Sequence, residues 1–293
     1  SRDFELVDRV EAVVLGSAQD GGLPHIGCRK AHCEAARANP SLRRRSPCVA
    51  LLDEAAQQAY CLDAGPDFHE QLADLPDWGE RGRPVNGIFI THAHIGHYTG
   101  LMHLGREALG AREVPVYCSK RMAGFLTNNG PWSQLVKLNN IAINIIDPGK
   151  TIELNDRLSI RPLAVEHRAE YTDTLAFVAQ GPKHSMLYLP DIDRWDGLEP
   201  SIETLVTSVD IALLDGTFYS DDELPNRNLA EIPHPRVTKS MDRLQRVVDA
   251  GSSRVVFIHL NHSNMLLDED GKLLADLRKR GFDITFDGMA FEL

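Results

Sequence analysis

The sequence predicts an α/β protein built as an αββα sandwich, two mixed β-sheets face to face with helices outside, spanning residues 1–293 as one domain. Three observations carry this. Short apolar, β-rich runs recur along the whole chain. Helical periodicity appears between clusters of them. Ionisable residues gather just past the ends of the runs, as they do where strand ends feed loops into one crevice.

The predicted strands, in order, are VEAVVLGS (10–17), CVALLDE (48–54), QAYCLDAG (58–65), NGIFITHA (86–93), VPVYCS (114–119) and IAINIID (141–147). They continue with LSIRPLAVEH (158–167), TLAFVAQ (174–180), SMLYLPDID (185–193), IALLDGTF (211–218), RVVFIHLNH (254–262) and DITFDGMAFEL (283–293). Helical patterns lie at 97–110, 119–129, 234–251 and 268–281. The third is the best marked. Val237, Met241, Leu244, Val247 and Val248 repeat at helical spacing, and Gly251 suits its C-terminus. The loops between PDID and LLDGTF and across 221–236 are long and irregular, as functional loops often are.

Composition narrows the function. With 31 basic against 42 acidic residues the net charge is −11, which argues against nucleic acid as a main partner. Arg43–Arg45 reads as a solvated loop. No apolar run approaches 18 residues, so no membrane span is expected. The chain starts at Ser1 without methionine, so the lack of a leader says nothing of location, and cytoplasm and periplasm stay open. Five cysteines make an odd count without a disulfide framework, and Cys61 and Cys118 read as small buried groups in strands. The sequence contains no repeat of 20–50 residues and no low-complexity segment.

The chemistry concentrates at THAHIGH, residues 91–97. Imidazole is the commonest metal ligand near neutral pH, and His92 and His94, two apart in extended chain, face the same side. His97 begins the next helix and points to a neighbouring position. His167 is a candidate to complete a first set, and Asp191 to bridge to a second ion held by His97 and His259, three assignments that rest on a family resemblance. A bound cation brings the pKa of water from about 15.7 toward 7, so the expected nucleophile is an activated water. A lone strand-end histidine is usually structural, and His69, His103 and His184 are read that way. The triplet is not.

These residues resemble the metallo-β-lactamase superfamily signature T-H-x-H-x-D-H. LDAGP at 62–66, His167, Asp191 and His259 follow in the family's order, and the likeness covers nearly the whole chain. Within it the chain is similar to the pyrroloquinoline-quinone biosynthesis protein B family, through VLGSAQDGGLPHIGC, THAHIGHYTGL, LLDGTFYSDDEL and FIHLNHSN. It also resembles the cyclic phosphodiesterase of phosphonate degradation, through GLPHIGC, HLNH and FDGMAFEL. The resemblance implies the αββα fold with a site in the cleft between the sheets, and one or two zinc ions, with iron or manganese as alternatives. The departure is Gly96, where the family has an aspartate that binds the second metal. Glycine offers no ligand and leaves that ion His97, Asp191 and His259.

Both relatives carry a structural zinc on C-x-C-x-x-C. Here Cys28 and Cys33 persist, Lys30 stands at the middle position, His262 matches a further ligand, and His25 is the expected fourth donor in preference to His32. His234 is a catalytic or substrate-binding candidate, Asp63 and Asp215 are candidates to orient metal-bound histidines, and Tyr98 and Trp132 are candidates to line a substrate pocket. The function expected is a metal-dependent hydrolase acting on an ester, lactone, amide or cyclic phosphodiester, with Asp191 and His234 catalytic. Its partner would be a small-molecule or peptide-derived substrate, and a homodimer is compatible. The alternative is an iron-dependent oxygenase in maturation of a quinone-type redox cofactor, and a third reading is a carrier without turnover.

Overall fold

The computed structural model describes residues 8–168, 170–224, 228, 231–268 and 271–293. The first half holds β1 (Val10–Gly16), α1 (Ala31–Ala38), β2 (Cys48–Asp53), β3 (Gln58–Leu62), α2 (Phe68–Ala73), β4 (Gly87–Phe89), α3 (Ile95–Tyr98), β5 (Val114–Cys118), α4 (Lys120–Asn128), α5 (Trp132–Lys137) and β6 (Ile141–Ile145). The second holds β7 (Ile152–Glu153), β8 (Ser159–Val165), β9 (Thr174–Gln180), β10 (Ser185–Leu189), α6 (Ile202–Thr207), β11 (Ile211–Asp215), α7 (Val237–Asp249), β12 (Arg254–Ile258), α8 (Lys272–Lys279), β13 (Asp283–Ile284) and β14 (Ala290–Glu292).

Two seven-stranded sheets result, ordered β14-β1-β2-β3-β4-β5-β6 and β13-β12-β11-β10-β9-β8-β7. In each, the first four strands from one edge pair antiparallel and the rest parallel, so the halves repeat one another's topology without detectable sequence repetition. This is the αββα sandwich that the run pattern predicts. One apolar layer lies between the sheets, with Val14, Leu51, Leu62, Phe89, Phe177, Tyr188, Leu213 and Val256 in it. The other two lie between each sheet and its helices, with Ile88, Leu101, Met122 and Leu126 on one side and Leu187, Leu214, Met241, Leu244 and Phe257 on the other. Covered on both faces, β2, β10 and β11 are buried at every position, hence their unbroken apolar runs.

The structure departs from expectation in several places. The helix expected over 97–110 is only the short α3 followed by a 3₁₀ turn over Thr99–Leu104. The His97 carbonyl accepts from Ala64 N–H and the Gly100 N–H donates to the Ala64 carbonyl, so the β3 loop takes groups an α-helix would use internally. The run 283–293 splits into β13 and β14, which join different sheets. Helices α1, α2, α5 and α6 were not expected; each is eight residues or fewer, too short to show a clear period. α7 matches its prediction, with Val237, Met241 and Leu244 buried and Gly251 at φ +73°.

Candidate metal centre

All the candidate donors stand just past strand ends, on one rim of the sandwich. His92 and His94 follow β4, and His97 lies in α3. His167 follows β8, Asp191 follows β10, and His259 follows β12 with φ +66°. The β3 and β4 loops are tied at this rim. Thr91 N–H donates to Asp63 Oδ1 at 2.8 Å, and Ala93 N–H donates to Thr172 Oγ1 at 3.0 Å.

Four donors face one another in a first set. His92 Nε2 lies 2.9 Å from His94 Nδ1, and His94 Nδ1 lies 3.1 Å from His167 Nε2. Asp191 Oδ2 lies 3.3 Å from His92 Nε2 and 3.1 Å from His167 Nε2. Ligands on a tetrahedral zinc, with bonds of about 2.0–2.1 Å, stand roughly 3.3 Å apart. The same Asp191 Oδ2 also faces the second set, 3.6 Å from His97 Nε2 and 3.7 Å from His259 Nε2, which are 3.3 Å from each other. One carboxylate oxygen therefore looks into both sets.

The ring nitrogens that do not face these points are committed elsewhere. His97 Nδ1 pairs with Asp63 Oδ2 at 2.7 Å, and His167 Nδ1 with Asp193 Oδ1 at 2.9 Å. His92 Nδ1 and His259 Nδ1 meet the hydroxyls of Thr91 and Thr217 at 2.9 and 2.8 Å, and His94 Nε2 meets Glu170 Oε2 at 2.8 Å. Such partners fix the tautomer and ring orientation of a metal-binding histidine. Asp63 also accepts from Tyr188 Oη, and Asp215 accepts from Thr217 Oγ1 at 2.7 Å and His234 Nδ1 at 2.8 Å. Asp63 thus touches His97 directly, whereas Asp215 reaches His259 only through the Thr217 hydroxyl.

Two features fit the donors to a cation. Asp191 is buried, yet its Oδ1 has no hydrogen bond. His234 Nδ1 is 3.3 Å away, but its hydrogen is directed to Asp215. Burial pushes His92 well below its ordinary 6.5, aided by neighbouring His97 and opposed by Asp191, and burial lowers His94 too, so both are neutral with lone pairs free at pH 7. Burial would raise Asp191, but the charges of His259, His167 and His234 outweigh it and hold the carboxylate well below 3.8. The anionic Asp191 oxygen beside neutral His92 and His94 suits a divalent ion.

His234 sits in backbone at φ +118°, a strained position for a residue other than glycine. Burial would lower it, but Asp215 and Asp191 raise it to about 9. Its ring lines a cleft of about 510 Å³ with Glu166, Asp193, Arg194 and Arg236.

Cys28, Cys33 and His262 converge in a separate cluster, with Cys33 Sγ 3.6 Å from His262 Nδ1. His25 is corrected: its ring stacks on His262 at 4.2 Å and its Nδ1 meets the Ile26 carbonyl, so it stands beside the three donors without joining them. The pocket expected of Tyr98 and Trp132 is corrected as well. Tyr98 is 6% exposed in the core behind the first sheet, tilted on Trp132 at 4.8 Å and edge-on to Phe125 at 5.3 Å. Tyr98 is buried in that core and Trp132 is half-buried against it.

Sequence reasoning missed Asp20, which reaches His97 and His259 from the β1 loop. It also missed the outer partners Asp193, Glu170, Thr91 and Thr217. The one signal for Asp20 was an acid just past a strand end, followed by two glycines.

The beta-lactamase superfamily domain matches residues 59–260, which include every donor of the two sets named above. The chain belongs to the beta-lactamase superfamily. Among relatives, this superfamily member is 25% identical over 308 aligned positions to coenzyme PQQ synthesis protein B of Acinetobacter baumannii, covering 96% of this chain and 99% of that one. It shares its fold with the Zn²⁺-bound PqqB of Methylobacterium extorquens, with a TM-score of 0.82, 22% identity and coverage of 97% and 100%. It shares it also with a diphosphatase of the PhnP family, with a TM-score of 0.69, 22% identity and 97% of each chain. The fold is thus that of the metallo-β-lactamases, as the sequence resemblance implies.

Proposed function

We propose that this chain is a metal-dependent hydrolase. The observation that carries the reading is the single oxygen, Asp191 Oδ2, set 3.1–3.7 Å from four imidazole nitrogens in two groups. His92, His94, His167 and Asp191 would hold one ion, zinc by donor chemistry, and His97, His259 and Asp191 would help hold a second. A bound divalent cation supplies Lewis acidity toward the scissile bond and acidifies water. His234 keeps its Nδ1 proton on Asp215. Its other nitrogen is then free to hold a proton for the departing oxygen or nitrogen of a substrate in the cleft. The substrate class is an ester, lactone, amide or cyclic phosphodiester, and the diphosphatase that shares the fold supports the phosphorus end of that range. Cys28, Cys33 and His262 are read as a structural zinc site.

The whole-length likeness to a PQQ synthesis protein also supports a second reading, an iron-dependent oxygenase in maturation of a quinone-type cofactor. One experiment separates the two. Protein loaded with zinc or with iron is assayed on an ester, lactone and phosphodiester panel with and without oxygen. Zinc-supported turnover without oxygen, lost together with bound metal in the His92→Ala/His94→Ala pair, is expected. Unchanged metal content and turnover in that pair would overturn the hydrolase reading, and iron-dependent oxygen uptake would replace it with the second.

A further inference from the structure

We infer that Asp20 supplies the carboxylate of the second metal set, in place of the side chain that Gly96 lacks; this rests on the metal-centre reading above. Asp20 Oδ1 lies 3.4 Å from His97 Nε2 and 3.3 Å from His259 Nε2. Those nitrogens lie 3.3 Å from each other. All three separations match the roughly 3.3 Å between neighbouring ligands on a tetrahedral ion with bonds of about 2.0–2.1 Å. With Asp191 Oδ2 the set has two imidazoles and two carboxylates.

Gly96 and Asp20 fit as alternatives. A Cβ on residue 96 would stand 2.4 Å from Asp20 Cγ and 2.6 Å from both Asp20 Cα and Oδ1, so no side chain at 96 can coexist with this placement of Asp20. The Gly96 N–H donates to Asp20 Oδ2 at 2.9 Å, so the backbone at that position aims the incoming carboxylate instead of bearing one. The β1 loop is braced for this. Ala18 bridges to Leu260 beside His259, Gln19 N–H donates to the Leu260 carbonyl at 2.9 Å, and Leu260 N–H donates to the Ser17 carbonyl at 3.1 Å. Gly22, at φ +64°, closes the turn behind Asp20 by donating to the Gln19 carbonyl. The side chain is 14% exposed, and the loop that carries it is tied to the segment just after His259.

The test uses the full chain and Mn²⁺ alone, which favours carboxylate and imidazole and leaves the cysteine cluster silent. Electron paramagnetic resonance of the wild-type protein is expected to show an exchange-coupled pair at two equivalents. Asp20→Ala and the near-isosteric Asp20→Asn should show one isolated ion, with affinity for the second down more than about a hundredfold, since even residues that only back a ligand cost about 10–100-fold. A pair retained in both single variants, or a wild-type protein that takes only one ion, overturns the assignment of Asp20. A wild-type protein that binds no ion overturns the metal-centre reading itself.

Discussion

Replacing Asp63 by asparagine tests how the centre is held while leaving every proposed ligand in place. Asp63 is fully buried with φ +67°, a conformation asparagine tolerates, so the change adds little backbone strain. Its Oδ1 accepts from Thr91 N–H at 2.8 Å, a bond an amide oxygen can keep. Its Oδ2 faces three donors, His97 Nδ1 at 2.7 Å, Tyr188 Oη at 3.0 Å and Thr91 Oγ1 at 3.1 Å, of which the Thr91 hydroxyl can turn to Oδ1. An NH₂ there turns donor against donor. His97 escapes by moving its proton to Nε2, the atom that faces Asp20, His259 and Asp191, and is then disarmed as a ligand. The buried Tyr188 hydroxyl can turn to accept but loses its own acceptor, which costs about 1–3 kcal/mol. The second ion should weaken by about 10–100-fold, the usual effect of losing a residue that orients a ligand, with the first ion unaffected. Buffered metal titration measures the affinities, and denaturant unfolding of the chelated protein measures the stability. A second-ion affinity equal to wild type in Asp63→Asn would refute the tautomer argument.

Three further outcomes are expected. His234→Gln should lower turnover by about 10²–10⁴-fold with metal content intact; loss of an ion instead would make His234 a ligand and not a proton carrier. Cys28→Ser/Cys33→Ser should remove one equivalent of zinc and lower the melting temperature while leaving Mn²⁺ content unchanged, and zinc content equal to wild type would contradict the structural site. In chelated protein, His97 is held well above 6.5 by Asp63 and Asp20, and His234 at about 9 by Asp215 and Asp191, in both cases against the lowering effect of burial. Groups raised on folding add stability that is full below 6.5 and lost as pH climbs through the folded value. The unfolding midpoint should therefore fall between pH 6.5 and 9, and a flat or rising midpoint would count against this charge arrangement.

The parts of the centre that were readable in the sequence are those fixed by local geometry. His92 and His94 share a side because extended chain alternates, and Asp191 and His259 were visible because strands end where their apolar runs end. α7 declared itself through five periodic apolar positions. What stayed hidden is set by contacts distant along the chain. Asp20 enters through the bridge between Ala18 and Leu260, a register no local pattern encodes. The helix expected after His97 fails because Ala64 claims its backbone groups. Tyr98 and Trp132 carry the same residue types in a pocket or a core, and only packing tells the two apart.

The split of residues 283–293 bears on how the molecule is made. β14 returns from the second half to cover the edge of β1, pairing Glu11 with Glu292, Ala12 with Phe291 and Val13 with Ala290. During synthesis β1 (Val10–Gly16) must therefore wait with that flank bare until residues 290–292 emerge, and such contacts slow folding. An uncovered strand invites pairing with another chain. Shortening the chain before residue 290 should therefore produce clumping of nascent protein in the cell, even though no donor to either ion has been removed.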